Sequence, residues 1–227
     1  MALDNQYKLF HVSKTEDILA SAQRYKNLRL RALQLSPSSF ASTYETEATF
    51  NDEYWVSDLL QDGKETFICA ATTPSETNPD SLEWVAQVTF SGPKSRENFT
   101  LPPESGQPDP ASDEEEERWQ MLGLFTLPAH QGKGIAKALY RAGLDYVMSY
   151  RSHPPNVRVR LMVKPGLHDV WRMYKNLGFQ DAGRGTLAEA FKANGMEDHL
   201  PEGFESNEAF CARTSYIMMQ VFPRIRN

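Results

Sequence analysis

Leu124-Phe125-Thr126-Leu127-Pro128-Ala129-His130-Gln131-Gly132-Lys133-Gly134-Ile135-Ala136-Lys137-Ala138-Leu139 runs from an apolar stretch through a glycine-rich turn into a helical pattern. Trp119–Leu127 reads as a strand. Ile135, Leu139, Ala142, Tyr146 and Tyr150 recur along one side, so Gly134–Tyr150 reads as a helix. The start of a helix carries unpaired N–H groups and a partial positive charge, and it attracts anions. Gly132 and Gly134 lack a Cβ and let the main chain approach a bulky diphosphate. Ala136 keeps a third approach point small, and Lys133 adds a cation at the mouth.

Three phosphate chemistries use such a turn. A P-loop needs GxxxxGK followed by Ser or Thr, but Lys133 is followed by Gly134 and Leu127 stands five residues before Gly132. A dinucleotide fingerprint needs a third glycine where this chain has Lys137, too large for close helix packing. The third pattern fits: Gln131-Gly132-Lys133-Gly134-Ile135-Ala136 resembles the Q/R-x-x-G-x-G/A signature of the GNAT superfamily of N-acetyltransferases. Tyr174-Lys175-Asn176-Leu177-Gly178-Phe179 resembles that superfamily's Y-x-x-x-G-F ending. Arg29-Leu30-Arg31-Ala32-Leu33 and Pro37-Ser38-Ser39-Phe40-Ala41 are similar to its first-helix region. The bland alternative is that the glycines only turn the chain.

The resemblance implies an α+β fold: a mostly antiparallel mixed sheet with a parallel β-α-β centre and helices on both faces, spanning residues 1–227 as one domain. It implies an enzyme that moves an acetyl group from acetyl-CoA, as co-substrate, to a primary amine of a small molecule or peptide by direct attack on the thioester. A weakly active or inactive acyl-CoA-binding module is the alternative. The cofactor contacts it implies are Phe125, Thr126 and Leu127 for the pantetheine arm, Gln131, Gly132, Lys133, Gly134, Ile135, Ala136 and Lys137 for the pyrophosphate, and His168. Tyr174 is the implied general acid toward the leaving thiolate. Where some members carry a strand carboxylate as base, this chain has Gln120, so Glu45, Glu47, Glu117 or a water chain are the substitutes. Leu167 stands where many members have asparagine. Phe40 and Tyr44 are candidates for the acceptor site.

The rest of the chain divides into recognisable segments. Tyr7–Val12 alternates as a strand. Thr15 offers an N-cap with Glu16 and Asp17 in the first turn, and Ile18, Ala22, Tyr25, Leu28 and Ala32 follow at helical spacing until Ser36-Pro37. A second helix is expected over Ser42–Leu60. Strands are expected at Thr66–Ala71 and Leu82–Phe90, with a loop at Thr73–Ser81. Gly92–Arg118, with five prolines and the acidic run Asp113–Glu117, reads as a solvated or disordered insertion. Val157–Val163 is a strand, His168–Leu177 a helix stopped by Gly178, and Phe179–Ala182 the start of another strand. Leu187–Ala212 is a partly helical excursion, Ser215–Phe222 a last strand, and Arg224 and Arg226 form a basic tail.

Composition narrows the function classes. The 227 residues are 40% hydrophobic and 24% charged, ordinary for a globular chain, and a net charge of −6 argues against broad nucleic-acid binding. Two cysteines, Cys69 and Cys211, favour a reducing compartment over a disulfide framework. No CxxC or HExxH pattern supports a metal site. Met1–Asn5 lacks the pattern of a signal peptide, and no apolar run approaches the ~20 residues of a membrane span. The expectation is a cytoplasmic monomer or homodimer without a membrane or nucleic-acid partner.

Overall fold

The computed structural model describes residues 6–72 and 82–224; Met1–Asn5, the Thr73–Ser81 loop and Arg226 of the basic tail lie outside them. The elements in order are β1 (Tyr7–His11), α1 (Ile18–Leu35), α2 (Tyr44–Glu47), α3 (Asp52–Leu60), β2 (Lys64–Thr72), β3 (Leu82–Lys94), α4 (Arg96–Phe99), β4 (Glu116–Thr126), α5 (Ile135–Ser149), β5 (Asn156–Val163), α6 (His168–Asn176), β6 (Gln180–Gly185), α7 (Leu187–Ala193), α8 (Glu208–Cys211) and β7 (Ser215–Pro223). Among the described residues the strands form one sheet in the order β1-β2-β3-β4-β5-β7-β6. β4 and β5 run parallel around the α5 crossover, while β1–β2, β5–β7 and β6–β7 are antiparallel. The expected mixed α+β sheet with a parallel centre is therefore present. Two compact units divide the chain: one runs to Phe90 and includes Gly123–Tyr146, the other holds Ser91–Leu122 and everything from Val147.

In the first unit α5 covers the apolar face of the sheet. Phe67 and Phe90 meet edge to face at 6.3 Å, Phe67 reaches the Tyr146 ring at 5.7 Å, and a side chain at Gly143 would collide with Phe90. Side chains alternate along a strand, so Gln87 and Thr89 point to the other face, where Thr89 pairs with Thr66 at 3.0 Å. α1 and α3 join through the Tyr25 and Trp55 rings, 6.0 Å apart.

Two expectations fail here. Thr15 does not cap α1: Ser13 Oγ accepts from the Thr15 and Glu16 amides, and the helix starts only after Asp17 in a left-handed conformation at φ 47°. The helix expected over Ser42–Leu60 is two helices, because Asn51 in extended conformation accepts from the Tyr54 amide and starts a new one.

The second unit corrects the reading of Gly92–Arg118. β3 continues to Lys94 and β4 begins at Glu116, so both ends of the segment belong to the sheet. Between them Phe99 at the end of α4 is fully buried against Ala182, Ile217 and Met219. The acidic run is solvated only in its first part: Asp113, Glu114 and Glu115 are exposed, whereas Glu116 and Glu117 are buried. Glu116 pairs with Arg158 at 2.7 Å and Arg118 at 3.4 Å, and Asp113 pairs with Arg118 at 2.7 Å. Side-chain identity misled the reading of Glu116, because buried Arg118 on β4 and half-buried Arg158 on β5 supply the counter-charges. The tail residue Arg224 donates to Glu117 and to the carbonyls of Val147, Met148 and Pro154. Within the excursion, α7 opens with a capping box between Thr186 and Glu189.

Candidate active site

The glycine turn lies wholly within the first unit. Past the end of β4, the Leu127 amide still donates to Val85 O at 2.8 Å. Pro128–His130 then form a 3-10 turn, and Gln131 Nε2 donates back to Thr126 O at 3.0 Å. Gln131 thus braces the turn through its side chain. Gly132 and Gly134 take φ of 75° and 79°, a left-handed region costly for side-chain-bearing residues. A Cβ at either would meet nothing within 4 Å. Backbone direction, not crowding by the protein, requires glycine here, and the space in front of the turn is open. The ladder of α5 begins with Ala138 N donating to Gly134 O at 3.0 Å, so the amides before it have no partner inside the helix. Thr126 Oγ1 is buried without a hydrogen-bond partner among the described residues. Amides without a partner inside the helix, a helix start and an orphaned hydroxyl fit a ligand carrying phosphates and amides.

Lys133 is less free than its sequence position suggests. Its ammonium donates to the Tyr7 hydroxyl at 2.9 Å and lies 5.5 Å from the centre of that ring. Tyr7 in turn contacts His130 Nδ1 at 3.0 Å. Burial first, then the Lys133 charge, holds the His130 imidazole below its usual pKa. A neutral Nδ1 can accept the Tyr7 proton, which leaves the Tyr7 oxygen for Lys133.

Phe40 is buried with its ring 5.2 Å from that of Phe125, and the Arg29 guanidinium lies 4.4 Å over it. Tyr44 is half-buried and Glu45 exposed at the start of α2. Glu47 is corrected as a base candidate: its buried carboxylate is held bidentately by Arg29, Nε at 2.8 Å and Nη2 at 2.6 Å. Glu117 is corrected likewise, since Oε1 accepts from Trp119 Nε1 at 2.7 Å and Arg224 Nη2 at 2.8 Å.

In the second unit Tyr174 is buried near the end of α6, its ring edge to face with Phe179 at 5.7 Å. Burial holds its phenol above the ordinary pKa. The helix stops where the Phe179 amide reaches Tyr174 O at 3.1 Å, with Gly178 at φ 101°, the left-handed end anticipated from the sequence. His168 is exposed at the first residue of α6.

The model of the acetyltransferase (GNAT) family matches residues 37–179, more than half of the chain. The chain belongs to the acetyltransferase (GNAT) family. Membership places it among acyl-CoA-dependent N-acyltransferases. No curated protein matches it in sequence. Solved structures share the GNAT fold at low identity. A GNAT-family acetyltransferase from Streptococcus pneumoniae superposes with a TM-score of 0.55 at 9% identity, covering 95% of this chain and 99% of that one. Ribosomal-protein-S5-alanine acetyltransferase from Vibrio fischeri gives 0.54 at 14%, covering 97% and 94%. Spermidine N-acetyltransferase from Vibrio cholerae, solved with CoA and spermine, gives 0.52 at 12%, covering 97% of each.

Sequence reasoning missed several residues of this GNAT chain. Arg160 on β5 is buried, and no carboxylate among the described residues forms an ion pair with it. It donates to Gln120 Oε1 at 2.8 Å, Gln107 Oε1 at 2.7 Å and Phe99 O at 2.5 Å, and stacks 3.9 Å over the Phe99 ring. Burial lowers its pKa to about 9, with Glu189 acting in the opposite sense. Gln120 also donates to Asn194 Oδ1 at 3.1 Å. The one available signal was an arginine between Val159 and Leu161 in an apolar strand. Gly123, at φ 65° inside β4, was also overlooked; a left-handed glycine within a strand is the geometry of a β-bulge. No group of three His, Cys, Asp or Glu among the described residues could hold a metal ion, and no described helix is long and apolar enough to cross a membrane.

Proposed function

We propose that this chain transfers the acetyl group of acetyl-CoA to a primary amine of a small molecule or peptide. The observation that carries the reading is the pair of left-handed glycines, Gly132 and Gly134, opening α5 with clear space before them. Their amides, with those of Ile135, Ala136 and Lys137, would hold the pyrophosphate. Phe125 and Thr126 would take the pantetheine amides, which gives Thr126 Oγ1 a partner; Leu127 is corrected as a contact of this kind, since its N–H donates to Val85 O and its carbonyl accepts from the His130 amide. His168 is kept as an outer cofactor contact.

The neutral amine nitrogen attacks the thioester carbonyl carbon. A C–N bond forms, the C–S bond breaks with its electron pair going to sulfur, and the nitrogen gives up one proton. A main-chain N–H near Phe125 would steady the developing oxyanion; such a donor is typically worth ~3 kcal/mol. Tyr174 would give its proton to the thiolate, against the opposing effect of its burial, which raises the phenol's pKa and makes it a weaker acid. With Glu47 and Glu117 engaged by arginines, the amine's proton leaves by way of water or Glu45. Phe40 and Tyr44 would border the acceptor. The acceptors named for the structural relatives, spermidine and an alanine of ribosomal protein S5, make a polyamine and a peptide amine both worth testing.

The reading of residues 1–227 as one domain is supported by β3 and β4, each of which has residues in both units. A cytoplasmic site is supported by the free thiols of Cys69 and Cys211. The test is thiol release from acetyl-CoA over an amine panel, alongside calorimetric binding of CoA. Tight CoA binding with no thiol release for any amine would favour the second reading, an acyl-CoA-binding module, for which Gln120 in place of a carboxylate speaks.

A further inference from the structure

Gln87 on β3 is 1% exposed, and its Oε1 has no hydrogen-bond partner among the described residues. An unsatisfied buried amide oxygen is costly, and native proteins keep few of them without a function or a bound donor. Its surroundings narrow the explanation. A Cβ at Gly123 would come within 3.3 Å of Gln87 Nε2, so the amide lies directly against the left-handed residue that interrupts β4. Two residues further along β4 is Phe125, whose main chain the proposed function places beside the thioester. Strand alternation points Gln87 away from Phe90 and α5, on the face opposite the apolar packing.

Other candidates carry less. The Glu116 and Glu117 carboxylate oxygens and the Arg118 and Arg158 nitrogens without hydrogen bonds are compensated by the ion pairs around them. The groove at Ser95–Asp113 has nothing in it that selects an occupant.

We propose that Gln87 Oε1 accepts a hydrogen bond from the attacking nitrogen of the acceptor amine and so holds it toward the thioester. The inference rests on the acetyl-transfer reading. A neutral amide oxygen suits this role. It aligns an N–H without taking the proton, and its interaction strengthens as the nitrogen becomes positive during attack. Gln87 is closed off from solvent in the free protein, so the acceptor pairs its oxygen only as the packing beside Gly123 gives way to it.

The test compares the wild type with Gln87→Met and Gln87→Asn, using acetyl-CoA with spermine and with a peptide bearing a free N-terminal alanine. Gln87→Met removes the orphan, so thermal stability should hold or rise, acetyl-CoA affinity should stay unchanged, and kcat/KM for the amine should fall roughly 10- to 100-fold. Gln87→Asn, which withdraws the oxygen by one methylene, should fall between. A purely structural amide, including one that binds only a trapped water, predicts full transfer by both variants, and that result overturns the proposal. A loss confined to acetyl-CoA affinity also overturns it, assigning the oxygen to the pantetheine arm instead. A wild type that binds acetyl-CoA but acetylates neither amine defeats the acetyl-transfer reading for these acceptor classes, and the role of Gln87 falls with it. That outcome is distinguishable because it appears before any substitution is made.

Discussion

The Lys133 ammonium donates to the Tyr7 hydroxyl at 2.9 Å, linking the glycine turn to the first strand across 126 residues of sequence. A neutral His130 Nδ1, 3.0 Å away, can take the phenolic proton and so turn the Tyr7 oxygen's lone pairs toward Lys133. We expect Tyr7→Phe to weaken acetyl-CoA binding about 2- to 10-fold at pH 7.5. His130 has a folded pKa below its unfolded value of about 6.5. Its contribution is therefore present above pH ~6.5 and is lost as pH falls through the folded pKa. The difference between wild type and Tyr7→Phe should shrink by pH 5, as calorimetric titrations at the two pH values would show.

Gly134 at φ 79° faces open space. Gly134→Glu should place a carboxylate before the helix start and reduce CoA affinity by two orders of magnitude or more, with the far-ultraviolet spectrum unchanged. A folded variant of undiminished affinity would falsify the cradle. Gly134→Ala should cost about 1–2 kcal/mol of stability from the left-handed backbone alone.

Arg29 and Glu47 form a buried bidentate pair beneath Phe40. Glu47→Gln strands the guanidinium, and breaking a buried pair typically costs about 3–5 kcal/mol. The expected signature is a large drop in Tm with kcat per folded molecule nearly unchanged. A stable variant without activity would instead restore Glu47 as a base.

Arg160 Nε lies 2.8 Å from Gln120 Oε1. In Gln120→Glu the new carboxylate should be captured as an ion pair, raising Tm slightly and leaving turnover at or below wild type. A gain in turnover with an acid-shifted pH profile would mean that the carboxylate works as a base despite its neighbour.

Tyr174→Phe should keep acetyl-CoA affinity and lose roughly 100-fold or more in kcat if the phenol supplies the proton. Burial raises the phenol above its ordinary pKa of about 10. Its contribution to stability is thus fully present below pH ~10 and lost only as pH rises through the folded value. No phenolate signal attributable to Tyr174 should appear between pH 8 and 10 in difference spectra against the variant. Equal turnover would demote Tyr174 to packing.

Local chemistry made much of this legible. Gly178 adopts the left-handed conformation that its place after the helix implied, Gly132 and Gly134, read for close approach to a diphosphate, prove to be left-handed as well, and the α5 stripe from Ile135 to Tyr146 is the face that meets the sheet. What stayed hidden depends on partners distant in sequence. Glu116 and Glu117 look like the end of a solvated run until Arg118, Arg158 and Arg224 are brought to them. Glu47 looks available until Arg29 folds over it, and Gln87 looks like an ordinary outward strand residue until its oxygen is seen to lack a donor. The break at Asn51 depended on one cap that competes with helix continuation.

β7 is the last strand in the sequence, yet it lies between β5 and β6 and is hydrogen-bonded to both. During synthesis β5 and β6 therefore emerge with a gap between them that only β7 can close. The first unit holds β1, β2 and most of β3, so it can begin to settle earlier, whereas this part must wait until β7 has emerged. A nascent chain stalled before Ser215 would expose two unmatched strand borders, and holdase chaperones should be found on it at that stage.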